Sequence, residues 1–154
     1  MTKHFRYTSI GAALGLLLFT AGLAADPAPR TVSITASDQM KFSVTEITAK
    51  RGETLRVVLS SRGTMPKMAM SHNFVLLAKG TNVDAFANAS AVAQAAGYIA
   101  PAFAAKVLAS TKLAGNGDTV QVTFDAPKTP GRYDYLCSFP GHYLGGMRGV
   151  LIVK

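Results

Sequence analysis

Between residues 137 and 147 the chain reads Cys137-Ser138-Phe139-Pro140-Gly141-His142-Tyr143-Leu144-Gly145-Gly146-Met147. A thiol, an imidazole and a thioether stand on one segment, with four residues between Cys137 and His142 and four between His142 and Met147. A second imidazole, His72, follows Met70-Ser71 at the head of a separate apolar run. Soft sulfur ligands suit Cu(I), and imidazole serves both copper oxidation states. Two imidazoles, one thiolate and a weak axial thioether are the donor set of a trigonal electron-transfer copper site. Such a site compromises between the geometries the two states prefer, so little has to move when one electron arrives or leaves.

Each residue also has a plain structural reading. A free cysteine is commonly just a small buried hydrophobe. His142 after Pro-Gly could be a solvated loop residue, Met147 a core residue and His72 a strand cap. What sets these readings aside is the inventory. The 154-residue chain has one cysteine and three histidines, and one of those, His4, lies in a stretch expected to be removed. One cysteine excludes an internal disulfide framework, an all-cysteine iron–sulfur cluster and a four-cysteine zinc site. Cys137 is therefore buried, paired with another chain, or bound by something. The metal reading uses every remaining histidine and cysteine at once.

Residues 1–25 read as a secretory signal: Lys3, His4 and Arg6 precede an uncharged stretch from Tyr7 to Ala25, with Gly22-Leu23-Ala24 offering a cleavage site. An uncleaved anchor helix is the competing reading. Cleavage leaves a short lead-in over 26–30 and one domain over 31–154, in an exported, periplasm-type compartment. Removing Lys3 and Arg6 lowers Lys plus Arg from 16 to 14 against 8 acidic residues, a net charge of +6. These cations stand singly or in pairs, without the clustering of a nucleic-acid footprint. No stable membrane association is expected after cleavage, and a monomer is.

The elements that must position the donors are short strands. Thr31–Ala36, Phe42–Thr48, Thr54–Ser60, Asn73–Ala78, Thr119–Asp125, Gly131–Cys137 and Arg148–Val153 show alternating or continuous apolar patterning between turn residues. Phe42, Val44 and Ile47 need a slip to share a face. The pattern predicts an all-β fold, a Greek-key β-sandwich of seven to eight strands. Between Lys79 and Asp118 the alanine-rich chain predicts a helical insertion around 82–110. Its helices are expected over Asp84–Ala96 and Ala102–Ser110, fastened by Phe86, Phe103, Val107 and Leu108.

These residues resemble the cupredoxins, the small type 1 blue copper proteins, and within them the azurin group. The similarity covers nearly all of the mature chain. It rests on Ser37–Phe42, on Pro66-Lys67 through Ser71-His72-Asn73-Phe74, on Thr111–Gly117 with Val122–Asp125, and above all on Cys137-Ser138-Phe139-Pro140-Gly141-His142 with the downstream Met-Arg-Gly strand. The resemblance implies one copper ion held by His72, Cys137 and His142, with Met147 axial. It implies that Asn73 ties the ligand segments together, and that Asn73 and the Phe139 amide donate toward the cysteine sulfur. Three departures stand out. Four residues rather than three separate His142 from Met147. Ser71 stands where azurins have a glycine whose carbonyl approaches the metal. The azurin disulfide is absent.

The first functional expectation is a one-electron carrier that docks transiently with redox proteins. The ligand loop has no charged residue between Cys137 and Met147. Its docking face is expected to comprise Met70, Pro140, Gly141, Tyr143, Leu144 and Gly145, with Met68 adding to it. A copper storage, delivery or sensing module is the alternative, kept open by Met65, Met68 and Met70. An enzyme with a second copper centre needs more histidines than the mature chain has.

Overall fold

The computed structural model describes Met1 and residues 28–154; the signal-peptide expectation and the first half of the lead-in lie outside the described residues. Among the described residues nine strands form two sheets. One has the order β2 (Lys41–Phe42), β1 (Arg30–Ser37), β4 (Thr54–Arg62), β7 (Thr119–Asp125). The other has the order β3 (Glu46–Ala49), β9 (Arg148–Val153), β8 (Gly131–Leu136), β5 (Val75–Leu77), β6 (Val107–Ser110). β1 runs parallel to β4 and β3 parallel to β9, so strands distant in sequence lie side by side, as a Greek-key sandwich requires.

Alternation explains the layering. In β4, Leu55, Val57, Leu59 and Ser61 point inward and are buried, while the residues between them face outward. Burying each of those aliphatic side chains contributes roughly 1.5–3 kcal/mol. Ile34, Phe74, Tyr135, Leu151 and Cys137 belong to the same core. β7 is an edge strand, so its inward Val120, Val122 and Phe124 are only half buried.

Three sequence expectations are corrected. Phe42–Thr48 is not one strand with a slip. Ser43 still donates to the Thr35 carbonyl of β1, whereas the Thr45 carbonyl accepts from Val150 of β9. The phase change is therefore a change of sheet, and it leaves both Phe42 and Ile47 buried. The first inserted helix, α1, spans Val83–Ala91 rather than reaching Ala96. Asn82 caps its start, accepting from the Ala85 amide at 3.0 Å. Past it, the Ser90 hydroxyl accepts from the Ala100 amide, and the chain turns through Gly97 at φ 63°. Finally, Ala102–Ser110 is not an α-helix. Pro101–Lys106 is a 3₁₀ turn, and Val107–Ser110 is strand β6, paired with β5. The open edge of β5 overrides the helix propensity of alanine. Phe86 is buried and Phe103 meets it edge-on at 5.7 Å, but Leu108 is 44% exposed.

The connections gather at two ends. At one end His72 is bridged to Ala114, Asn73 bonds Ser138, and Lys41 bonds Gly145. At the other, Arg51 donates to the Lys154 carbonyl, Gly52 to Ala126, and Lys79 to Pro130.

Candidate metal centre

His72, Cys137 and His142 converge at the first end. Their ligand atoms lie within 4.8 Å of one another, and all three residues are buried. Each is placed by backbone. His72 exchanges two hydrogen bonds with Ala114, at 2.9 and 2.8 Å, which pin the segment before β5 to the 111–118 connection. Cys137 follows β8 directly, and its amide donates to the Met147 carbonyl at 3.1 Å. The Met147 amide in turn donates to the His142 carbonyl at 2.9 Å. Between these bonds the loop turns at Gly141 and Gly146, at φ 80° and 89°, a backbone region in which L side chains are strained.

His142 Nδ1 is 3.4 Å from Cys137 Sγ, and the two imidazole rings are 4.9 Å apart. His72 is fully buried, yet neither of its ring nitrogens has a hydrogen-bond partner. Burying a polar ring without partners is costly, and native structures avoid it unless something else binds there. A soft divalent or monovalent metal would take one His72 nitrogen and fits the donor set.

Electrostatics agree with that fit. Burial pushes the Cys137 thiol up to about 12, against the opposing pull of the Asn73 and Phe139 backbone amides. Burial, with the neighbouring His72, depresses the His142 imidazole to about 4, and burial also lowers His72. The metal-free pocket thus holds neutral imidazoles and a protonated thiol at neutral pH.

The remaining expected site residues lie around this cluster. Met147 is fully buried. Ser71 is buried, its carbonyl 3.9 Å from Cys137 Sγ and its hydroxyl donating to the Lys67 carbonyl. Asn73 Nδ2 donates to Ser138 Oγ, and the Ser138 amide donates to Asn73 Oδ1, both at 2.9 Å. Among the docking residues, Leu144 is 79% exposed, Pro140 and Gly141 are exposed, and Met70, Tyr143 and Gly145 are half-buried. Met68 is 88% exposed. His142 itself shows only 2% of its surface.

The sequence reading missed the side chains that brace the loop from elsewhere. Lys41 Nζ donates to the Gly145 carbonyl at 2.8 Å. The Tyr143 hydroxyl donates to Asp84 of α1 at 2.9 Å, and Arg148 lies over the Tyr143 ring at 5.3 Å. A loop without charge of its own is therefore flanked by three charged residues. Ser138 could have been suspected from its place beside Cys137, but no local signal marks Lys41 or Asp84.

Comparison with known proteins agrees with this geometry. Residues 30–154 match the family model described as copper binding proteins, plastocyanin/azurin family. The chain is 36% identical over 126 residues to azurin of Pseudomonas chlororaphis, covering 80% of this chain and 97% of that protein. It is likewise 36% identical over 147 residues to azurin of Pseudomonas aeruginosa, covering 93% and 97%. The solved structure of auracyanin A, a "blue" copper protein from Chloroflexus aurantiacus, superposes with a TM-score of 0.72 at 32% identity, covering 82% of this chain and all of that one. A two-sheet sandwich that closes a His-Cys-His cluster at one end, and that aligns along almost the whole of these relatives, belongs to the plastocyanin/azurin family of copper-binding proteins.

Proposed function

We infer that this chain is an exported one-electron carrier and not an enzyme. The observation that supports this most is the buried His72–Cys137–His142 cluster with both His72 nitrogens unpartnered. His72 and His142 would hold copper through imidazole nitrogen, Cys137 through its thiolate and Met147 through its thioether. The Ser71 carbonyl is a candidate fifth contact. Copper bound there supplies reversible one-electron chemistry.

The chain's own part is to keep these donors still and dry. The Asn73–Ser138 bonds join the two ligand segments, and outer contacts of this kind orient ligands and tune a metal. The Cys137–Met147 and Met147–His142 backbone bonds close the loop on itself. Leu144 and its small neighbours offer an apolar face over a nearly buried His142, suited to brief docking of redox proteins. The narrower assignments, namely the cleaved 1–25 signal, a periplasm-type location and a monomer, rest on the sequence pattern.

The test is twofold. Copper-loaded protein shows an intense visible thiolate-to-copper charge-transfer band, lost in Cys137→Ser. It also exchanges electrons rapidly with itself. A colourless complex overturns the site, and slow self-exchange with fast copper release to a chelator favours the delivery reading, for which exposed Met68 is the supporting feature.

A further inference from the structure

We propose that the end of the sandwich opposite the copper ligands is a docking surface for an anionic membrane, held there by charge and leaving the ligand loop facing outward. Basic residues are not spread evenly over the fold. The β3–β4 turn carries Lys50 and Arg51, and the β7–β8 connection carries Lys128, with Arg132 just inside β8. Lys79 leaves β5, Lys106 precedes β6, Arg30 opens β1 and Lys154 follows β9. All eight are exposed.

Backbone bonds join these connections into one surface. Arg51 donates to Lys154, Gly52 to Ala126, Lys154 to Ala49, and Ala78 to Lys106. Two carboxylates share the end with the chain terminus, and both carboxylates are engaged. Glu53 pairs with Arg30 at 2.5 Å, and Asp125 accepts from Thr54 at 2.7 Å. The ligand end is closer to balance: Lys41, Arg62, Lys67, Lys112 and Arg148 stand against Asp38, Asp84 and Asp118, while Arg56, Glu46 and Asp134 lie along the strands between the two ends. The molecule is therefore polarised, with most of its positive excess away from the metal.

Two observations favour a lipid surface over an acidic protein. The cations are dispersed over the turns and termini of a whole end, without the packed aromatic centre that anchors a protein hot spot. The chain also enters the fold at this end, through Arg30, only a few residues after the uncharged stretch Tyr7–Ala25. Among the described residues no helix is long and apolar enough to cross a membrane. The contact is peripheral and weakens with salt. It rests on the charge distribution and stands whether or not the ligand end exchanges electrons.

The test compares two charge-matched variants in the protein expressed with its full N-terminal sequence and recovered as the host leaves it. One is Lys50→Gln with Lys128→Gln at the far end; the other is Arg62→Gln with Lys112→Gln at the ligand end. Co-sedimentation is measured with vesicles of phosphatidylcholine alone and with phosphatidylglycerol added, at low and high salt. Each lysine near an anionic surface is worth about fivefold in affinity, so the far-end pair lowers anionic-vesicle binding roughly 25-fold. The ligand-end pair changes it by less than about threefold, since its charges sit a domain's length away. Thermal midpoints and the copper absorption band, read for every variant, establish that each is folded. Equal weakening by both pairs overturns the proposal, because net charge alone then explains binding. Equal binding to neutral and anionic vesicles overturns it too. So does binding to polyglutamate, released by the far-end pair, when vesicles are not bound. Self-exchange in vesicle-free solution reads the carrier assignment separately.

Discussion

At the level of single residues, the metal-free pocket is set up so that metal loading moves one proton. The Cys137 thiol, pushed up to about 12 by burial, is protonated at pH 7, while both imidazoles are neutral. Copper binding at pH 7 is expected to release one proton per ion, read by calorimetry in buffers of different ionisation enthalpy. The imidazoles also govern acid stability of the metal-free form. His142 is depressed from 6.5 to about 4 in the fold, so between those values the unfolded chain binds more protons. Stability is full above about pH 6.5 and falls as pH drops toward 4, a slope that denaturant titrations of metal-free protein will show. Asn73 is the residue whose loss is felt on both ligand segments. Asn73→Ala leaves the buried Ser138 amide without its acceptor. The expected cost is about 1–3 kcal/mol in chemical denaturation, with a shifted copper absorption band.

At the level of elements, the inserted helix and the ligand loop are one mechanical unit. α1 buries Phe86 beneath the second sheet and presents Asp84 to Tyr143, the neighbour of His142. Tyr143→Phe removes that link while keeping the ring under Arg148. Amides of 140–146 are then expected to exchange faster with solvent, at a stability cost of about 1 kcal/mol, while β8 and β9 stay protected. Elements were also where sequence pattern was least reliable. Thr119–Asp125 and Arg148–Val153 were legible to the residue, because their alternation reflects burial on one face. Phe42–Thr48 was not, because a strand that changes sheets keeps its apolar residues and alters only their phase. Val107–Ser110 was hidden in alanine-rich sequence, since its strand state comes from the β5 edge beside it and not from its own propensity.

For the whole molecule, the consequence is an object with a working end. Two copies exchanging electrons meet through the same patch on each, so a charge placed there meets itself. Leu144→Glu is expected to slow self-exchange by about tenfold or more at low salt, and less at high salt, with the copper band unchanged. An unchanged rate would place the transfer face elsewhere than at Leu144. The charge polarity described above adds a second end to this picture, one that no local stretch of sequence displays.

The sequence by itself determined the chemistry. One thiol, two imidazoles and a thioether at fixed spacing point to a single metal site, and donor type selects the metal class whatever the fold around it. It also determined the sandwich, because period-two burial is written locally. Only the tertiary structure decided that His72 is buried with neither ring nitrogen hydrogen-bonded, that Lys41 and Asp84 reach an uncharged loop, and that eight basic residues gather at the end opposite the His-Cys-His cluster. Each of these is a relation between residues far apart in the chain. Burial, pairing and field are set by what lies alongside a residue in space, and in a Greek-key sandwich chain neighbours are seldom the ones that matter.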